Sequence, residues 1–268
     1  MINDIKKPFE NYRETVHQVQ TDLQFWKSFV KRGISEYQKT TSENREIFTS
    51  GFLVYDFAQC NGTARMHKKT MNIETDDLEN QLTNFFARIQ NLVIVKVYNA
   101  VEILLIEAIR LKSFPLEQSV LRKKKNANKI HQNIKEYLTT NKINYDTTNN
   151  RHIIALIEAN SIEASEFLNC PLPDLKTTFK KYFELVSVLR NIIAHHGGIL
   201  NNDTINQINS VGADIFQRVF RIHVENDMKT LMPLESNFGQ LINLINDFAV
   251  NTVKFLYSEK DLSFLGLH

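Results

Sequence analysis

Arg190, Asn191 and His195 are the side chains in this 268-residue chain whose types and spacing could do chemistry together. Within six residues they bring a permanent cation, an amide, and an imidazole that titrates near neutrality. On a helix Asn191 and His195 (i, i+4) share one face, and Arg190 sits at the edge of an apolar stripe. Burying such groups beside apolar surface is costly unless they are paired or open to a cleft. Two readings stand at this point. One is a helix end whose histidines favour the negative pole of the dipole and whose arginine makes one salt bridge. The other is a site that holds a cation next to a proton-transfer group.

The helix that must carry these residues is predicted from Leu175, capped by Asp174 after Pro171 and Pro173, to the stop at Gly197-Gly198. Leu175, Phe179, Tyr182, Phe183, Val186, Leu189 and Ile193 make its core stripe. Leu185, Val188 and Ile192 form a second stripe about 120° away, so the helix needs covering twice. Another helix of this chain or the same helix of a partner subunit would do this. A two-fold dimer through the Val188 and Ile192 face is therefore expected.

A second long helix is predicted to start at the box formed by Asp76 and Glu79 and to run to about Lys112, with Pro115 beyond. Its most apolar stretch, Leu92 to Ile109, is broken by Lys96, Asn99, Glu102 and Glu107, which marks a core helix and not a membrane span. Glu102 falls among apolar positions and needs a cation. Arg190 is the expected partner, since guanidinium pairs with carboxylate in a bidentate fashion; the alternative is that Glu102 reaches water or pairs locally with Asn99.

The rest of the chain also reads as helical. Hydrophobic residues make up 43% and charged residues 23%, which excludes wholesale disorder, and only 8 Gly and 5 Pro are too few for the turns of a sandwich or barrel. The fold class is all-α. Further helices are expected over 4–32, ending at Gly33, over 116–138, in short pieces over 151–169, and over about 203–223 and 237–257. Over 35–73 a helix is favoured over a strand, and Asn61-Gly62 marks a turn. The polar residues 139–150 read as a loop.

Net charge is +2, so the chain is no indiscriminate polycation. Residues 113–151 nevertheless hold eight Lys and Arg against three acids, with Arg122, Lys123, Lys124, Lys125 and Lys129 clustered. This run is either a solvated helix face or a patch for a polyanion. Cys60 and Cys170 lack second cysteines at ligand spacing, and the start of the chain does not read as a signal peptide, so a reducing, cytoplasmic setting is expected, with no metal and no cofactor.

The string Arg190-Asn191-Ile192-Ile193-Ala194-His195, followed by His196-Gly197-Gly198-Ile199, resembles the R-x4–6-H signature of the HEPN superfamily (higher eukaryotes and prokaryotes nucleotide-binding), in particular the branch of abortive-infection and toxin-like proteins. Val101-Glu102-Ile103-Leu104 in the preceding helix also fits the family pattern. The resemblance covers about Asp76 to Leu256 and implies an N-terminal helical extension, 1–75, before a HEPN-like helical domain, 76–268.

The resemblance further implies a homodimer whose two motifs face one cleft, and a metal-independent endoribonuclease used as a toxin or in anti-phage defence. In that picture Arg190 binds the scissile phosphate, His195 is the general acid or base, and Asn191 orients the site. Glu102 and His196 support it, His196 being a second catalytic neighbour or an exposed helix-end residue, and Arg122, Lys123, Lys124, Lys125 and Lys129 contact RNA. An antitoxin or a defence-system protein is a further implied partner, and no membrane is. Other HEPN proteins are non-catalytic modules that bind a nucleotide or a protein, which is the alternative.

Overall fold

The computed structural model describes residues 2–40, 46–56, 63–113, 125–145, 151–172, 175–225 and 227–267. Among these, eight helices dominate, as the all-α reading requires: α1 (Ile2–Thr40), α2 (Leu78–Ser113), α3 (Lys125–Thr140), α4 (Arg151–Asn160), α5 (Ile162–Asn169), α6 (Phe179–His196), α7 (Asn202–Val219) and α8 (Glu235–Leu256). Strands β1 (Glu46–Asp56) and β2 (Thr63–Glu74) form an antiparallel hairpin, and β3 (Ile199–Leu200), β4 (Phe220–Glu225) and β5 (Met228–Pro233) a small sheet in the order β3-β5-β4. No helix among the described residues is long and apolar enough to cross a membrane.

Two compact units divide the chain, residues 1–21 with 89–268 and residues 22–88. The division differs from the expected break at residue 75. The first turns of α1 join the larger unit because Ile5, Phe9, Tyr12, Val16 and Val19 recur at three and four residues and are all buried. The Tyr12 hydroxyl donates to Asn246 Oδ1 on α8 at 2.5 Å. Helix α1 also runs past Gly33, which has open space around it, to Thr40.

In the smaller unit, the segment read as helix over 35–73 is instead the β1–β2 hairpin, paired from Glu46↔Glu74 to Asp56↔Thr63. Ile47, Phe48, Thr49, Phe52, Leu53, Val54 and Tyr55 are β-branched, aromatic or otherwise apolar, the composition of a strand. The Asn61-Gly62 turn signal lies outside the described residues. On α1, Trp26 does not continue the buried stripe: with Phe25 and Phe29 it forms an exposed cluster, ring centroids 5.7–6.1 Å apart.

In the larger unit α6 is the central element. It starts at Phe179 with Thr178 as its N-cap, later than the expected Leu175; Asp174 lies outside the described residues. Both apolar stripes are buried within the chain, Val188 to 1% exposure and Ile192 to 2%. Helix α7 packs on α6 where it kinks at Gly212: a Cβ there would lie in van der Waals contact with Leu185 of the second stripe, 3.6 Å from its Cδ2. The Val188 and Ile192 face is therefore not a free surface for a dimer.

Aromatic rings stack through the core from Tyr98 to Phe183 (5.0 Å) and from Phe183 to Phe248 (4.0 Å), joining α2, α6 and α8. The helix expected over 203–223 ends at Val219, where Phe220-Arg221-Ile222-His223-Val224 switches to strand β4. Asp227, at φ 64°, helps to close the tight turn to β5.

Helix α6 ends at Gly197 (φ 60°) and Gly198 (φ 82°), both left-handed, as the Gly-Gly stop requires. A Cβ on Gly198 would lie 3.3 Å from Asn91 Nδ2, which donates to the Leu231 carbonyl oxygen at 3.0 Å, while Leu231 N–H donates to the Gly198 carbonyl. The exit of α6 is thus clamped to α2 and β5. Gly198→Ala is expected to destabilise the protein by at least about 1–2 kcal/mol, the cost of an L-residue in this conformation. Gly239→Ala, on the open surface of α8, should stabilise by about 0.5–1 kcal/mol. Urea unfolding of the two variants tests the contrast.

Candidate functional site

Arg190 reaches from α6 across to α2. Its Nε and Nη2 both donate to Asn99 Oδ1, at 3.1 and 3.0 Å, and Nη1 donates to Asn191 Oδ1 at 2.8 Å. The guanidinium lies 5.8 Å from the centroid of the Tyr98 ring, within cation–π range. Tyr98 is itself fixed by donating to Ser187 Oγ at 2.9 Å and by stacking on Phe183. The arginine is therefore held by two neutral amide oxygens and an aromatic face.

Glu102 is not its partner. One turn along α2 from Asn99, Glu102 faces α3 instead, with Oε1 3.9 Å from His131 Nε2. Among the described residues no carboxylate pairs with Arg190. Among the described residues nothing neutralises its charge, and two of its five N–H donors are not committed by the bonds above. A half-buried guanidinium of this kind can hold an anion, because the cost of positioning it has already been met by Asn99, Asn191 and Tyr98.

Asn191 is half-buried beside Arg190, whereas His195, one turn on, is exposed, as are Ala194 and His196. The structure thus joins Arg190 and Asn191 directly and leaves both histidines open to solvent at the C-terminus of α6. Of the basic run, Arg122, Lys123 and Lys124 lie outside the described residues, Lys125 is the first residue of α3, and Lys129 is exposed on that helix.

Three residues that spacing did not identify complete the surroundings. Asn99 takes the role assigned to Glu102, and its one signal in the sequence is that it interrupts an apolar stretch. The others are His131 and His152, 21 residues apart, whose Nδ1 and Nε2 approach to 2.7 Å. The Glu102 carboxylate favours the tautomer with a proton on His131 Nε2, so His152 Nε2–H is the donor to His131 Nδ1. His152 Nδ1 is then a buried acceptor without a hydrogen-bond partner among the described residues.

Burial pushes the His152 imidazole down to about 4, helped by His131 and Lys135. Burial also lowers His131, with Glu102 opposing and Lys135 assisting. No group of three or more His, Cys, Asp or Glu suited to a metal ion occurs among the described residues. Compared with protein-family models, curated proteins and solved structures, the chain matches none.

The histidine pair makes stability depend on pH. Both are neutral in the fold at pH 7. The unfolded chain takes up protons on them near the ordinary value of about 6.5, before the folded chain does. Stability from the pair is thus fully present above about pH 6.5 and is lost as pH falls toward the folded value of about 4 for His152. His152→Gln is expected to flatten the fall in melting temperature between pH 6.5 and 4. A variant curve parallel to wild type across that window would contradict this.

Proposed function

We propose that this protein is a HEPN-type, metal-independent endoribonuclease, serving as a toxin or anti-phage defence effector in the cytoplasm. The observation that carries the reading is the charge of Arg190, fixed in place by Asn99, Asn191 and Tyr98 without a neutralising carboxylate among the described residues. An exposed His195 stands one helical turn from Asn191 on the same face. A half-buried cation without a carboxylate partner among the described residues, on the same helix as a solvent-exposed imidazole, suits a phosphodiester substrate better than a structural ion pair.

In the reaction, the 2′-hydroxyl oxygen of a ribose attacks its own 3′-phosphate. The new O2′–P bond forms as the P–O5′ bond breaks, leaving a 2′,3′-cyclic phosphate and a 5′-hydroxyl. His195 accepts the 2′-hydroxyl proton or returns one to the departing O5′. Arg190 binds the non-bridging oxygens, where charge grows in the transition state. Asn191 holds Nη1 and thereby sets the plane of the guanidinium. DNA, lacking the 2′-hydroxyl, is not a substrate.

Proton removal and proton return are best served by two groups. A second copy of the chain, brought against the exposed end of α6 with Ala194, His195 and His196 and against Ile199 of β3 just beyond it, supplies the second His195. This face replaces the buried one at Val188 and Ile192.

His195→Ala is expected to lower cleavage by about 10²–10⁴-fold with an unchanged melting temperature, since the side chain is exposed. Arg190→Ala should lose cleavage and about 1–3 kcal/mol of stability, the charged hydrogen bonds to the two amides, but strands no buried carboxylate. Asn99→Asp is the sharper test. It places a carboxylate on Arg190, and should keep the fold while cutting activity at least tenfold. Cyclic-phosphate ends released from RNA in EDTA are the measurement. Wild-type protein that binds RNA but releases none would favour the non-catalytic module.

A further inference from the structure

Between the first turns of α1 and the middle of α2 lies a cleft of about 570 Å³, within the range of small-ligand sites. Lys7, Asn11 and Thr15, four residues apart, line one wall, and Lys96, Asn99 and Glu107 the other. Pro8, Tyr12, Ala100 and Ile103 supply its apolar surface. The Tyr12 hydroxyl is committed to Asn246, and Ile103 is 63% exposed although it belongs to the most apolar stretch of the chain.

The polar balance of the cleft is one-sided. Glu107 contributes a carboxylate, but Arg110 already neutralises it, with Nε at 2.9 Å and Nη2 at 2.8 Å from Oε2. Lys7 reaches Glu10 at 3.8 Å across exposed surface, a pairing that holds little. Among the described residues Lys96 has no acidic partner. Asn99 spends its Oδ1 on Arg190, so Nδ2 is the group it has left to donate. Two cations and an amide donor therefore border an apolar surface, with no uncompensated negative charge.

We propose that this cleft binds a small amphipathic anion, an apolar or aromatic body bearing a carboxylate or phosphate, and that occupancy is felt at Arg190 through Asn99. The anionic group lies against Lys96 and Asn99 Nδ2, and the body against Tyr12, Ala100 and Ile103. Because one Asn99 amide serves both the ligand and the arginine, a pull on Nδ2 moves the oxygen that orients the guanidinium. The binding site stands by itself; its consequence for RNA cleavage rests on the ribonuclease reading.

The full chain titrated with 8-anilinonaphthalene-1-sulfonate tests the site. One saturable class of fluorescence is expected, weakened about tenfold, or 1.4 kcal/mol, by Lys96→Glu and by Ile103→Glu, both at exposed positions, and unaffected by Lys129→Glu on α3. Laurate or adenosine monophosphate should displace the dye, the first marking an acyl carboxylate and the second a nucleotide; displacement by neither overturns the proposal. Binding equal to wild type in both cleft variants also overturns it, and places the dye elsewhere, for instance on the Phe25, Trp26 and Phe29 cluster. The side-chain Nε–Hε resonance of Arg190 should shift when the displacing ligand saturates the cleft, and an unmoved resonance removes the link to Arg190. Binding with that shift, but no cleavage of RNA, would sink the ribonuclease reading alone.

Discussion

A guanidinium at a helix crossing has to be held without being neutralised if it is to remain useful to an anion, and the contact of Arg190 with Asn99 Oδ1 meets both demands. The amide oxygen takes two N–H donors, Tyr98 offers its ring, and Asn191 takes a third donor from the same helix. A carboxylate at position 99 would hold the arginine at least as firmly but cancel its charge. The neutrality of this acceptor connects the packing of α2 on α6 with the chemistry proposed at the end of α6.

The rest of the larger unit makes that contact rigid. Tyr98 could not be a fixed platform without Ser187 at its hydroxyl and Phe183 and Phe248 stacked behind it. The α6 helix could not end where it does without two left-handed glycines and the close approach of Asn91. The core around the site is anchored on both sides of Arg190, and the last turn with His195 and His196 stays on the surface. A positioned cation and a solvent-exposed imidazole are thus products of one helix that is buried along most of its length and bare at its end.

Helix α2 serves three neighbours with three polar residues. Asn91 ties down the exit of α6, Asn99 holds Arg190, and Glu102 faces half-buried His131, which meets buried His152 of α4. Asn99 and Glu102, with Lys96 and Glu107, interrupt the apolar stretch Leu92 to Ile109, and Asn91 stands just before it. Each interruption costs burial energy that a Leu would have supplied; Asn91, Asn99 and Glu102 are matched to groups on other elements, Glu107 to Arg110 of the same helix, and Lys96 to the open cleft beside α1. Asn99 belongs to both the arginine contact and the cleft, so a change at either is transmitted over a single side chain.

The helical class, the two stripes of α6, its stop at Gly197-Gly198 and the shared face of Asn191 and His195 were legible in the amino-acid sequence, because each follows from a local period of 3.6 residues or from the backbone freedom of glycine. The partner of Arg190 was not. Asn99 and Glu102 differ by about 4.5 Å along α2, and the choice between them depends on the axial position and rotation of two packed helices, which every core contact sets together. The same holds for His131 and His152, which meet only when α3 and α4 pack, and for Val188 and Ile192, whose burial depends on the elements packed around α6. The β1–β2 and β4–β5 hairpins were hidden for a related reason: short apolar runs such as Phe52 to Ala58 suit a helix as well as a strand until the partner strand is in place.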